Sequence, residues 1–198
     1  MRGRLLLLLL ALAAIGWWDF AQRARSHPPG VLVVDAPTQE PVPAATATWS
    51  KDEIAIKPLA RFSLSARVLS RANYHWDTEA RLAPVDLALG WGRMSDSAVL
   101  EKVEISQSGR FYYWQVRDFP IPEQEIIESS ANMHLIPADR AVARAIGRVR
   151  VGDVVSFDGY LVEADWPNGY KWVSSLTRSD AGAGACELVW VEHFEIAP

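Results

Sequence analysis

The stretch Asp153–Glu163, DVVSFDGYLVE, decides the fold class, because apolar and polar residues alternate on both sides of a single glycine. A period of two marks a strand with one buried face, and Gly159 is a place where such a strand bends sharply. Asn168-Gly169 follows as a strong hairpin turn, so Tyr170–Leu176 is expected to return alongside. Cys186–Ile196 (CELVWVEHFEI), rich in β-branched and aromatic residues, reads as a long closing strand.

Working back toward the N-terminus, Val142, Ala145, Ile146 and Val149 fall at helical spacing. Pro137 and Asp139 suit the start of that helix, and Gly147 with Arg148 and Arg150 suits its end. Upstream, Glu104–Gln107 and Arg110–Val116 flank Ser108-Gly109 and predict a second hairpin. From Arg61, the residues Phe62, Leu64, Ala66 and Val68 alternate with their neighbours and predict another half-buried strand. Asp86–Val99 (DLALGWGRMSDSAV) is broken by two glycines and reads as a structured insertion. The order strand, hairpin, helix, strand pair, strand predicts a mainly β (α+β) domain. It resembles a small Greek-key barrel of the oligonucleotide/oligosaccharide-binding kind, with one helix between strand groups.

The chain has 198 residues, 49% hydrophobic and 22% charged, which is globular composition with room for one domain. Arg2 and Arg4 precede the apolar run Leu5–Trp18, whose fourteen residues span roughly 21 Å as a helix against a hydrocarbon core of roughly 30 Å. A cleaved leader and an uncleaved transmembrane helix are both compatible with residues 1–26. The anchor is favoured, with Trp17 and Trp18 at the interface and membrane contact through residues 5–21. Arg23 and Arg25 match Arg2 and Arg4 in number across the run. Short Arg-bearing N-termini usually stay in the cytoplasm, so a single-pass inner-membrane protein with a periplasmic C-terminal domain is expected. Residues 27–57 begin with a proline-rich stretch and read as a tether, in which Val31–Val34 is expected simply to pack against the domain, with docking as an edge strand or latch the alternative. The globular domain is expected over residues 58–198.

Residues 27–198 carry 16 Lys/Arg and 23 Asp/Glu, a net charge of about −7. Such a domain lacks the counterion-release energy that dominates phosphate binding, so nucleic acid is not an expected partner. Phosphate loops, nucleophile elbows and metal knuckles are missing from the sequence, and no metal or cofactor is expected. The one cysteine, Cys186, follows Gly182-Ala183-Gly184-Ala185 and is a candidate nucleophile with His134 or His193 as its base, although a lone cysteine opening an apolar strand is more often a buried hydrophobe. His75, Asp77 and Glu79 would share a strand face as metal ligands, or form a plain solvated surface. Asn132-Met133-His134 lies ahead of the helix, where His134 is an acid–base candidate, although capping loop carbonyls by structural hydrogen bonding is the default for such a residue. The aromatic residues Trp76, Trp91, Tyr112, Tyr113, Trp114, Trp166, Tyr170, Trp172 and Trp190 are more than a small core needs; most are expected to pack in the core, and some to reach the surface as a recognition platform.

Four blocks, Pro84–Asp96 (PVDLALGWGRMSD), Ser130–Ala138 (SANMHLIPA), Gly152–Glu163 (GDVVSFDGYLVE) and Ser174–Glu192 (SSLTRSDAGAGACELVWVE), are similar to a family of N-terminally membrane-anchored bacterial proteins with no known activity. The resemblance implies a shared domain and a bacterial source, and it carries no substrate, cofactor or catalytic residue. The same blocks hold the polar residues that a loop-borne site would use: Asp86, Arg93, Asp96, Asn132, His134, Ser174, Ser175, Arg178, Asp180 and Cys186. The functional expectation is a non-catalytic binding or assembly module of the cell envelope, taking a protein or a glycan. The alternative is a thiol-dependent or acid–base hydrolase using Cys186 and His134.

Overall fold

The deciding stretch lies in a strand, here β8 (Val154–Asp165), in a computed structural model that describes residues 23–180, 182 and 184–198. Val155, Phe157 and Leu161 face one apolar cluster while Tyr160, Val162 and Ala164 face another, so the second half of β8 is buried on both sides. At Gly159 a Cβ would run into the Trp190 carbonyl of β10 (Glu187–Ile196), and β10 carries a bulge between Val191 and His193. Glycine is needed there because the two backbones touch where the sheet curls.

The long strand β3 (Ile54–Asn73) turns the corner of the sheet. Its first part pairs antiparallel with β8 from Ala55↔Asp165 to Arg67↔Val154. Its last part pairs with β4 (Val85–Gly90), and β4 pairs with β7 (Ser130–Pro137). β7 runs parallel to β10, which pairs antiparallel with β8. The strands β3, β4, β7, β10 and β8 therefore close into an uneven ring. Phe62, Leu64, Ala66 and Val68 of β3 point into it, together with Leu87, Leu89, Met133, Leu135 and Val189. The helix α3 (Arg140–Ile146) adds Val142 and Ile146 to this interior, and Asp139 caps it by accepting from the amides of Ala141 and Val142 at 2.7 and 2.9 Å.

Two of the ring strands differ from the sequence reading. The stretch read as an insertion contains β4, and Asn132-Met133-His134 lies within β7 rather than in a loop. Every residue of β4 is buried, so neither strand shows the alternation that reveals a half-buried one. The hairpin around Ser108-Gly109 does form, as β5 (Val103–Ser108) and β6 (Phe111–Val116), but as a separate two-stranded sheet. It covers a third cluster built on Leu69, Ala88, Met94, Val99 and Ile126. The return strand after Asn168-Gly169 is short, β9 (Lys171–Val173), on the edge of β8. Two short helices, α1 (Ser97–Leu100) and α2 (Glu123–Glu128), flank the hairpin in sequence.

The expected membrane segment, residues 5–21, lies outside the described residues. Among those described, no helix is long and apolar enough to cross a membrane. The described part of the expected tether runs along the domain. Val33 is buried in the ring cluster, and the amides of Leu32 and Val33 donate to Ser95 Oγ at 3.0 and 3.1 Å. Farther on, β1 (Thr38–Glu40) pairs with β3 through Ser63, Phe62 and Arg61, and β2 (Trp49–Lys51) pairs with the start of β3. Proline removes donors from such a stretch without preventing the remaining amides from finding side-chain acceptors.

Candidate functional site

Asp86 of β4 and His134 of β7 are cross-strand neighbours on the face of the sheet that points away from the ring interior. The carboxylate is 0% and the histidine 2% exposed, and His134 Nδ1 lies 2.9 Å from Asp86 Oδ2. That contact is close but out of line for a hydrogen bond, since neither atom has an aligned partner among the described residues. A carboxylate taken this far from water needs a positive partner, and the β5–β6 turn supplies one. Gly109 and Arg110 both have positive φ, 57° and 73°, the geometry of a tight hairpin turn. This places the Arg110 guanidinium over β4. Its Nη1 donates to Asp86 Oδ1 at 2.9 Å and to the Ala83 carbonyl at 2.8 Å. Nη2 and Nε grip Asp77 at 2.7 and 3.2 Å, and the cation sits 3.8 Å from the centre of the Tyr74 ring.

Asn132, one pleat along from His134, donates to the Arg110 carbonyl at 3.0 Å and accepts from Gln107 Nε2 at 2.6 Å. Its amide also lies 3.7 Å from Cys186 Sγ. The thiol's other polar neighbour is the Arg110 carbonyl at 3.9 Å. Burial pushes the thiol up to about 11; Asn132 opposes this, and the carboxylates of Glu187, Asp86 and Asp180 add to it. Cys186 therefore stays protonated at neutral pH, whereas a nucleophile would need the thiolate.

Next to it, Glu187 is 1% exposed and lies 3.1 Å from Arg178 Nη1. Burial pushes this carboxyl up to about 8, against the opposing pull of Arg178 and its own backbone amide. Arg178 rests on the Phe62 ring at 5.5 Å. Ser175 Oγ donates to Asp180 at 2.6 Å, and Ser174 Oγ accepts from the Leu188 amide at 3.1 Å while donating to the Ser175 carbonyl at 2.8 Å. These serines hold the β9–β10 connection against β10.

Two cavities open over this polar floor and meet at Phe111 and Cys186. The smaller, of about 250 Å³, is lined by Tyr113, Asn132, Arg178, Asp180 and Glu187. The larger, of about 620 Å³, is lined by Asp77, Glu79, Arg110, His134, Tyr170 and Trp172. The Trp172 ring lies 4.6 Å from that of His134.

Of the residues singled out from sequence, Asp86, Asn132, His134, Arg178, Asp180 and Cys186 gather here, with Ser174 and Ser175 in support. Arg93 and Asp96 do not. Arg93 pairs with Glu125 of α2, while Asp96 caps α1 through the Ala98 amide and holds the Gly30 amide at 2.8 Å. The β4 strand ends between Asp86 and these two and separates them. His193 is exposed and pairs with Asp158 at 3.1 Å. His75, Asp77 and Glu79 share no strand face, because residues 74–82 form turns: Asp77 goes to Arg110 and Glu79 accepts from Tyr170 Oη at 2.9 Å. Among the described residues, no group of three or more His, Cys, Asp or Glu side chains is placed to hold a metal ion. Trp91, Trp166 and Trp190 belong to the core, whereas Tyr113 and Tyr170 remain 49% and 42% exposed. Sequence reasoning missed Arg110 and Glu187. The only sequence clue to Arg110 is an arginine directly after the turn glycine.

Comparisons with known protein families, with curated proteins and with solved structures found no match to the chain.

Proposed function

We propose that this chain is a non-catalytic binding module of the bacterial envelope that takes its ligand in the cleft over β4, β7 and β10. The observation that carries the reading is where the cleft lies in the fold. Counting only ring strands, β8, β3, β4 and β7 stand side by side in the order fourth, first, second, third, which is the Greek-key arrangement. The helix α3 lies between the third and fourth. This supports the finer reading of the ring as a barrel of the oligonucleotide/oligosaccharide-binding kind. Barrels of that kind bind on their second and third strands and on the loops joining first to second and fourth to fifth. Here those parts contribute Asn132 and His134, Asp77 and Glu79, and Tyr170, Trp172 and Arg178.

The chemistry of the floor favours holding over reacting. Asp86 is shared between Arg110 and His134, and the thiol of Cys186 is raised by burial, so the arrangement presents donors, acceptors and rings without an activated nucleophile. Anchoring through residues 5–21, with the domain on the periplasmic side, belongs to the same proposal. It rests on Arg2, Arg4 and the apolar run between Leu5 and Trp18.

The test is co-sedimentation of the detergent-solubilised full chain with isolated sacculi and with the envelope protein fraction. A Phe111→Ala, Tyr113→Ala double variant that folds but loses retention is the expected result. Equal retention of both proteins, or turnover of ester or amide substrates that Cys186→Ser abolishes, would overturn the proposal.

A further inference from the structure

We propose that the smaller cavity is a subsite for one uncharged sugar ring, stacked on Phe111 and Tyr113 and held through its hydroxyls by Arg178 and Glu187. The inference rests on the binding-module reading and names the ligand class of the same cleft.

The first observation is a pair of polar side chains left incomplete. Glu187 is 1% exposed, lines the cavity, and its Oε2 has no hydrogen-bond partner among the described residues. Arg178 also lines it, and its Nε and Nη1 are buried without an aligned acceptor among the described residues, although Nη1 lies 3.1 Å from Glu187 Oε1. Buried polar atoms in folded proteins are nearly always satisfied, so incomplete ones beside a cavity point to a missing partner. That partner must accept from a guanidinium and exchange a hydrogen bond with a neutral carboxyl, which both donates and accepts, at a neighbouring position. A hydroxyl does both, and adjacent hydroxyls on one ring do both at once.

The second observation is the charge balance. Arg178 faces Glu187 and Asp180, with Asn132 and Thr177 as the neutral polar lining. An acidic ligand would meet a guanidinium already offset by Asp180. A cationic ligand would find Asp180 already engaged by Ser175 and Glu187 held largely in its neutral form by burial. A neutral polyhydroxyl ligand suits this lining better than either.

The third observation is the wall. Phe111 and Tyr113 are two residues apart on β6, so they project from one face of the strand. They are 40% and 49% exposed, with ring centroids 6.3 Å apart. Half-open rings beside hydrogen-bonding groups match the apolar C–H face and polar edge of a pyranose. The volume, about 250 Å³, suits one ring, and the larger cavity meeting it at Phe111 and Cys186 extends the path for a longer chain.

The test is titration calorimetry of the full chain in mild detergent against four tetrasaccharides and one peptide. The neutral probes are chitotetraose and cellotetraose, and the charged ones are tetragalacturonate and deacetylated chitotetraose. The peptide is a neutral tetra-alanine amide. At least one neutral saccharide should bind. Tyr113→Ala should weaken it about tenfold with an unchanged melting temperature, Glu187→Gln should keep it within about threefold, and Glu187→Leu should abolish it. If only a charged saccharide or the peptide binds, and Tyr113→Ala removes that binding, the sugar class falls while the cleft-binding reading stands. If none of the five probes binds and the chain is also not retained by the envelope fractions, both fall.

Discussion

Replacing Glu187 with glutamine should change how stability depends on pH, and the sign distinguishes two physical pictures of this carboxyl. In the unfolded chain the group titrates near its ordinary 4.5; in the fold, burial pushes it up to about 8. Between those values the folded protein binds a proton that the unfolded chain has released, so raising the pH lowers stability. At about 1.4 kcal/mol per unit, the linkage from about pH 5 to about pH 8 amounts to several kcal/mol. Glutamine does not titrate, and the other groups titrate in both proteins, so the difference between them isolates Glu187. Reversible urea unfolding of both full chains in mild detergent is the assay. The wild type should lose several kcal/mol relative to Glu187→Gln across this range. If Glu187 and Arg178 instead formed an ordinary stabilising ion pair, the carboxyl would titrate below 4.5 and the wild type would gain stability as the pH rose out of the acid range. A gain of that kind, or a difference constant to within about 0.5 kcal/mol, refutes the reasoning.

Three further perturbations probe the frame around the cleft. Asp86→Ala removes a fully buried carboxylate beside Arg110 and His134 and should cost about 3–5 kcal/mol in urea unfolding; a cost near that of an ordinary surface substitution would mean that water replaces it freely. Gly159→Ala drives a Cβ against the Trp190 carbonyl and should cost about 1–3 kcal/mol by thermal unfolding, whereas an unchanged melting temperature would show that β8 and β10 separate easily. Cys186, with its thiol pushed up to about 11, should react with iodoacetamide at neutral pH far more slowly in the folded protein than in urea. Equal alkylation rates by mass spectrometry would reinstate a reactive thiol.

Much of the local structure was legible in the chain. Alternation before Gly159 announced β8 and the spacing of Val142, Ala145 and Ile146 announced α3, because those stretches turn one face to the core, while the β-branched and aromatic run after Cys186 announced β10. β4 and β7 were not legible. Their outward residues Asp86, Asn132 and His134 are buried by other parts of the chain, so their polarity resembled a solvated loop.

Most of the candidate site was readable in the same limited sense. Asn132, His134, Arg178, Asp180 and Cys186 stood out by type and neighbourhood, but Arg93 and Asp96 stood out equally and lie elsewhere. Sequence by itself determined the strands and the helix whose period is set by a neighbouring face of water. The tertiary structure alone decided that β3 closes on β8, that β7 runs parallel to β10, and that a hairpin arginine sits on a carboxylate 24 residues away. The reason is physical: local periodicity records whether a side chain meets water, whereas ring closure and charge pairing depend on contacts between segments far apart in the chain.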